Sequence, residues 1–156
     1  SYTFHGRDVY AYTGARLASG VISYEEVGKE LPLSEIVELD VVETKYNKEE
    51  KSVTGCVDIL DVRFGSLWTS ISRDDFYLLN PEFGKRFEVS IFHEHMLVYQ
   101  NQVVYQHSFA EVAIGSPLLY INSVYRLGIA INQGSFARAY NVGTGTNWKI
   151  RIRAID

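Results

Sequence analysis

The sequence predicts a mainly β protein, and three observations carry that prediction. From Val53 to Ala154, short runs rich in β-branched and aromatic residues recur, cut by Gly, Asn, Pro and Ser. Of the 156 residues, 46% are hydrophobic and 22% charged, a globular balance that excludes disordered and collagen-like chains. Helical periodicity is confined mostly to the first twenty residues. Many short strands at this spacing point to a barrel or a sandwich of roughly a hundred residues.

The elements follow in order. Asp8–Ser19 reads as a helix: Asp8 suits the N-cap, Tyr12, Ala15, Leu17 and Ala18 suggest an apolar stripe, and Gly20 is a natural stop. A short helical piece is expected around Tyr24–Val27. Pro32 follows, and residues 34–42 open a different, acidic regime that reads as a linker. Strands are predicted over Val53–Leu60, Leu67–Ile71, Phe87–Ile91, Met96–Tyr99, Val103–Tyr105, Leu118–Ile121, Arg126–Ile131 and Trp148–Ala154. Tyr99–Val103, with Gln100, Asn101 and Gln102 at its centre, reads as a hairpin turn, and Asn132–Tyr140 as one short helix. A lone helix after Tyr-Thr-Phe-His-Gly has nothing local to bury against. It is therefore expected to be the tail of a larger domain whose front lies outside this sequence.

Charge and cysteine content narrow the function. The formal net charge is −4. Residues 25–50 are strongly acidic, whereas the stretch from Val112 onward carries an excess of Arg and Lys. Those bases are scattered, so a nucleic-acid surface is not expected, while a small anionic group such as a carboxylate is compatible with them. No apolar run reaches the roughly 18–20 residues of a membrane span. Ser1–Asp8 is polar and lacks the apolar core of a signal peptide, so no membrane partner and a cytoplasmic location are expected. Cys56 is the single cysteine, which excludes an intrachain disulfide framework and a Cys-based zinc site.

Four groups could carry chemistry. In Phe4-His5-Gly6-Arg7-Asp8, the histidine can act as acid, base or water-orienting group near neutral pH, and Gly6 permits close approach to the backbone; equally, His5 could be a surface residue at a frayed end. In the run from Asp61 to Trp68, the carboxylate can bind an ammonium group, and Phe64 and Trp68 offer flat faces to a purine. The same residues could instead make a turn, with Asp61 capping its own loop and Gly65 supplying a positive φ. Asn122-Ser123 and Asn132-Gln133-Gly134 allow the same two readings, as polar ligand contacts or as turns. His93 and His95 would share one face of a strand, but no third ligand stands at a matching position, so no metal is assigned.

Taken together, the order Thr-Phe-His-Gly-Arg-Asp, then Asp-x-x-Phe-Gly-x-x-Trp-Thr-x-Ile, then Asn-Ser…Arg-Leu-x-Ile-Ala-x-Asn-Gln-Gly resembles the S-adenosylmethionine hydrolase (hydroxide adenosyltransferase) family. The fluorinating and chlorinating enzymes belong to the same superfamily. The resemblance runs from Thr3 to the last strand. It implies an antiparallel or mixed C-terminal β-barrel, residues 32–156, preceded by the end of an α/β N-terminal domain, residues 1–31. It also implies a homotrimer with the ligand between the N-terminal domain of one subunit and the C-terminal domain of the next. The expected activity is hydrolysis of S-adenosylmethionine to adenosine and methionine. The partner is that small-molecule substrate, with no separate cofactor.

The resemblance assigns roles residue by residue. His5 matches the histidine that handles the attacking water, and Phe4 an aromatic beside the ribose. Fluorinating enzymes carry Tyr-Ser where this chain has His5-Gly6, which favours water over halide. Asp61 matches the aspartate at the methionine ammonium; Phe64 and Phe109 match residues packed on adenine, and Trp68 a tryptophan of the same turn motif. Ser123 matches a residue at the methionine carboxylate, and Gln133 a position whose backbone meets adenine. Ser66 stands where many members have an Asn at the adenine edge, and one hydroxyl cannot make the two-point contact of an amide. Val124-Tyr125 stands where relatives often have Ser-Gly or Arg-Gly. Two rival readings are a non-catalytic module that binds adenosine or only trimerises, and a halogenase.

Overall fold

A computed structural model of the protein describes residues 3–38 and 42–155. The chain divides into two compact units, residues 1–39 and 40–156.

The first unit is helical and short-ranged. A π-helical turn, Gly6–Ala11, runs directly into helix α1, Tyr12–Ala18. The start differs from the Asp8 cap that the sequence predicts. The Phe4 carbonyl already accepts from the N–H groups of Arg7 and Asp8 at 3.1 and 2.8 Å, so winding begins upstream and Asp8 falls inside the first turn. The stop is as expected: Gly20 takes φ +69°, and Gly20 N–H donates to the Leu17 carbonyl at 3.1 Å. The piece expected at Tyr24–Val27 is a single 3₁₀ turn, Tyr24–Glu26, closed by a reciprocal Ser23–Glu26 capping box. No described residue of this unit is buried. Residues 39–41 of the acidic connector lie outside the described residues.

The second unit is a closed barrel. Its strands are β1 (Lys45–Asn47), β2 (Ser52–Asp61), β3 (Ser66–Ser72), β4 (Arg86–His93), β5 (Met96–Tyr105), β6 (Pro117–Ile121), β7 (Arg126–Ile131) and β8 (Gly145–Ala154). The order β2-β3-β7-β6-β5-β4-β8 closes because β8 also pairs with β2, which makes seven strands, with β1 as a short flap on β2. Every pairing is antiparallel except β5 with β6, where Val104 faces Leu118 and Tyr105 faces Leu119. The mixed β-barrel implied by the resemblance is therefore present, and a sandwich is not.

Alternation explains the closure. On β8, Ile150 and Ile152 are fully buried, and Ile152 pairs with Val53 on one side and Val89 on the other. Lys149, Arg151 and Arg153 take the other face, and Arg153 Nε donates to Glu88 Oε1 at 3.0 Å across the β4–β8 seam. Two short helices fill the barrel ends. Helix α2 (Arg73–Tyr77), which follows β3, inserts Phe76, with its ring centroid 5.1 Å from those of Phe87 and Tyr105. Helix α3 (Phe136–Tyr140), which follows β7, inserts Phe136, 4.9 Å from Tyr99. Both phenylalanines are fully buried.

Three sequence expectations change. Tyr99–Val103 is not a turn: β5 runs unbroken, with Gln100, Asn101 and Gln102 laddered against Ser90, Val89 and Glu88. Tertiary pairing outweighs the turn preference of Asn, and the reversal falls instead at Glu94-His95, where Glu94 takes φ +56°. His93 and His95 consequently do not share a strand face; His93 stacks on Trp148 with centroids 4.3 Å apart. Finally, Asn132–Tyr140 splits into a turn followed by α3, because Gly134 N–H closes onto the Ile131 carbonyl at 3.1 Å. Among the described residues no helix is long and apolar enough to cross a membrane.

Candidate functional site

The α3 end of the barrel opens into a cleft of about 860 Å³ lined by residues from three separate turns. The first is the β2–β3 turn. Asp61 ends β2, its carboxylate Oδ1 accepts from Arg63 N–H at 3.0 Å, and its carbonyl accepts from Gly65 N–H at 2.6 Å. Gly65 takes φ +68°, and a Cβ there would lie 2.7 Å from Ser135 Cα. Only glycine lets this turn lean on the start of α3, where Ala137 N–H donates to the Gly65 carbonyl at 3.1 Å. The turn thereby leaves the Phe64 ring 67% exposed on the cleft wall. Turn and ligand readings of this segment are thus compatible: Asp61 shapes the loop and still lines the cleft.

The second turn carries Phe109, in a 3₁₀ turn over Phe109–Glu111, its ring 5.0 Å from that of Tyr120. The third is Asn132–Gly134. Asn132 Nδ2 donates to the Val112 carbonyl at 2.8 Å, which ties this turn to the Phe109 segment. Gln133 takes φ +55°, a left-handed conformation uncommon outside glycine. Ser135 then caps α3, its Oγ accepting from Arg138 N–H at 3.2 Å.

Two predicted residues stand behind the cleft and do not line it. Ser66 is 1% exposed, and Trp68 is partly buried with Nε1 donating to Tyr120 Oη at 3.1 Å. Tyr120 lies across Gly128, where a Cβ would meet its ring at 2.7 Å. Burial pushes the Tyr120 phenol up, hydrogen bonds to Ser66 and Trp68 pull against that, and the Asp61 charge adds to the rise. Tyr120 thus ties the β3 tryptophan to the Phe109 ring at the cleft, and the sequence reading did not single it out.

Ser123 lies elsewhere. It sits exposed in the β6–β7 turn, where Asn122 Oδ1 accepts from Val124 and Arg126 N–H at 3.1 and 2.9 Å. Arg126 pairs with Ser72 at one end of β3, while Asp61 pairs with Ser66 at the other. Seven residues of strand separate them, roughly 20 Å at the usual rise. The cleft therefore gathers Asp61, Phe64, Phe109 and Gln133 but not Ser123. Phe4 and His5 belong to the first unit. Both are exposed, the Arg7 guanidinium lies 4.8 Å from the Phe4 ring centroid, and His5 holds the N-cap position with no side-chain cap bond. Space around Gly6 is open.

Sequence reasoning singled out Asn132 within its Asn-Gln-Gly group but assigned no role to Arg63, Arg138 or Ser135, all on the cleft. The available signals were the Ser135-x-x-Arg138 spacing of a capped turn and the basic excess of the C-terminal part. Among the described residues, no group of three or more His, Cys, Asp or Glu side chains could hold a metal.

Over 149 residues the chain is 30% identical to a fluorinase from Actinopolyspora mzabensis, covering 95% of this chain and 48% of that protein. Over 143 residues it is 32% identical to an (R)-S-adenosyl-L-methionine hydrolase from Thermus thermophilus, covering 92% of this chain and 47% of the relative. A crystal structure of a conserved protein from Thermotoga maritima superposes with a TM-score of 0.68 at 29% identity, covering 98% of this chain and 53% of that one. The chain thus spans about half the length of the curated relatives it matches. The family model described as the SAM hydroxide adenosyltransferase C-terminal domain matches residues 55–149, a span that holds every cleft residue, and the chain belongs to that family.

Proposed function

We propose that this chain supplies the nucleoside- and methionine-binding half of an S-adenosylmethionine hydrolase that forms adenosine and methionine as a homotrimer. The observation that carries the reading is the convergence of one carboxylate, two exposed aromatic faces and one strained turn, Asp61, Phe64, Phe109 and Gln133, on one cleft. Phe64 and Phe109 suit the faces of adenine, and aromatic walls also favour a sulfonium cation. Asp61 suits the α-ammonium. In this reading residues 1–31 belong to an α/β domain and residues 32–156 to the ligand-binding barrel.

The chemistry asks little covalent work of the protein. A water oxygen attacks C5′, the C5′–S bond breaks, sulfur keeps the electron pair as neutral methionine, and one proton leaves the attacking water. Because the sulfonium carbon is already activated, placing and orienting the water supplies most of what is needed. His5, with Gly6 open beside it, is the group proposed to orient that water or take its proton.

A halogenating activity is the second reading, because the fluorinase relative is 30% identical, close to the 32% of the hydrolase relative. The His5-Gly6 pair supports water. One incubation separates them: the full-length polypeptide with S-adenosylmethionine, with and without fluoride or chloride, analysed by chromatography. Equal yields of adenosine and methionine, unchanged by halide, are expected. A halogenated nucleoside would replace the hydrolase reading with the second one, and binding without turnover would reduce the protein to a binding module.

A further inference from the structure

The segment between β5 and β6, residues 106–116, carries Phe109 and packs on the outer face of the barrel wall. Leu118, Tyr120 and Ala130 form a second buried cluster there, separate from the main core, with Val104 and Val112 packed against it. Leu119, between two of them on β6, faces the main core instead. The later half of the segment is also tied by its backbone. Gly115 N–H donates to the Asn132 carbonyl at 2.8 Å, and Asn132 N–H to the Ser116 carbonyl at 3.0 Å. The Phe109 turn is closed differently. Glu111 N–H donates to the Ser108 carbonyl and Val112 N–H to the Phe109 carbonyl, both at 3.3 Å, so these bonds stay within the turn. The Phe109 ring rests on the Tyr120 ring, with centroids 5.0 Å apart and planes tilted by 52°.

Tyr120 is itself fixed by one row of the sheet. Trp68 on β3 and Tyr120 on β6 each lie directly opposite Gly128 on β7. The two side chains therefore stand two strand spacings apart, about 9–10 Å, with the glycine between them. A Cβ on Gly128 would lie 2.7 Å from Tyr120 Cε1 and Cζ and 3.0 Å from Oη. Close approach of a neighbour is one reason for a glycine inside a strand. Here it lets the ring lie across β7, where Trp68 Nε1 donates to Tyr120 Oη at 3.1 Å. Ser66, buried two residues before Trp68, adds a second hydrogen bond to that hydroxyl.

We infer that Tyr120 is the positioning residue of the cleft's nucleoside wall: its ring seats Phe109, and its hydroxyl, held by β3 across Gly128, fixes where that seat stands. This rests on the reading that the cleft takes a nucleoside. Tyr120 is not among the residues that line the cleft, so it acts through Phe109. The seat of this wall is then a row of side chains on the outside of the barrel, and a change that spares the main core can still misplace Phe109. An aromatic face that is already held in place costs less to order when a ligand binds.

The test is a double-mutant cycle on the full-length polypeptide, with adenosine binding read by calorimetry. Tyr120→Phe keeps the ring and removes the hydroxyl. It should weaken adenosine about fivefold, the scale of one net hydrogen bond. In a Phe109→Ala background the same change should alter adenosine affinity less than about twofold, because the wall that it sets is gone. Without ligand, the Trp68 indole N–H resonance should shift in Tyr120→Phe, while that of Trp148, stacked on His93, stays in place. Equal losses with and without Phe109 would assign the hydroxyl to the general stability of the barrel. No loss in either background, or an unmoved Trp68 resonance, would show that the hydroxyl holds nothing. Each of these outcomes overturns the positioning role while the unaltered protein still binds adenosine. Failure of the unaltered protein to bind adenosine would overturn the reading of the cleft and the positioning role together.

Discussion

The two units of this chain use apolar residues in opposite ways. In the barrel, Ile150 and Ile152 on β8, Val53 on β2 and Val89 on β4 have no exposed surface. In the first unit, Val9, Tyr10, Tyr12, Val21 and Leu33 are all more than 40% exposed, and no described residue is buried. Yet the proposed division of labour runs across that contrast. His5, assigned to the water, lies in the unit without a core, and the ligand-gripping residues lie on turns braced by one. An apolar stripe in sequence says that a face wants burial; it does not say that the burial occurs within the same chain. The cleft shows the reverse case, in which exposed aromatics such as Phe64 are held in place by a buried framework beneath them.

The sharpest test of the contrast is stability. Phe76 fills one end of the barrel against Phe87 and Tyr105, so Phe76→Ala should cost about 3–5 kcal/mol in urea unfolding of the 156-residue chain. Tyr12→Ala, in the exposed helix, should stay within about 0.5 kcal/mol. Comparable losses would mean that the first unit has a core after all.

The sequence legible in this way was mostly the barrel. Period-two runs such as Phe87–Ile91 and Arg126–Ile131 became strands, because burial of one face leaves little choice of register. What failed was local. Gln100, Asn101 and Gln102 looked like a turn, but eight residues of β5 paired with β4 outweigh their weak turn preference. Helix α2 went unread although Ser72-x-x-Asp75 spells its capping box, with Asp75 N–H donating to Ser72 Oγ at 3.0 Å. In the site, Asp61, Phe64, Phe109 and Gln133 were legible through their resemblance to a spaced motif. Arg138 and Tyr120 were not, because their place depends on α3 leaning on Gly65 and on a ring lying over Gly128, neither of which leaves a local pattern.

Function should break along the same line. His5→Ala in the full-length polypeptide is expected to lower turnover by about a hundredfold or more with substrate affinity largely kept, as for loss of a general base. Unchanged turnover in single-turnover kinetics would remove His5 from the reaction. Asp61→Asn should do the opposite. It should weaken methionine-bearing ligands by about 1.5–3 kcal/mol, the worth of a charged hydrogen bond, and leave adenosine nearly unaffected. Equal weakening of both ligands in calorimetry would show that Asp61 acts through its turn and not through the ammonium.

The smallest expected effect separates the electrostatics of the two units. Arg7 and Asp8 are sequence neighbours, so their ion pair restrains no tertiary structure. Glu88 and Arg153 lie 65 residues apart on adjacent strands and span the seam where β8 closes the barrel. The hydrogen bond from Arg153 holds the Glu88 carboxyl below its ordinary range, against a smaller opposing push from burial. A carboxyl depressed in the folded state adds stability above its unfolded value and loses it as pH falls through the folded one. Glu88 keeps part of its side chain in water, so the contribution should not exceed about 1 kcal/mol. Glu88→Gln should therefore unfold at lower urea than the parent chain at pH 7, and the gap should shrink as the pH falls through the depressed range of the folded carboxyl, where the parent also loses its charge. Asp8→Asn should show no such gap in barrel unfolding at either pH. A Glu88→Gln gap that persisted unchanged at pH 3 would assign its effect to packing at the seam, and the pair would then resemble the neighbours in the first unit in doing no electrostatic work on the fold.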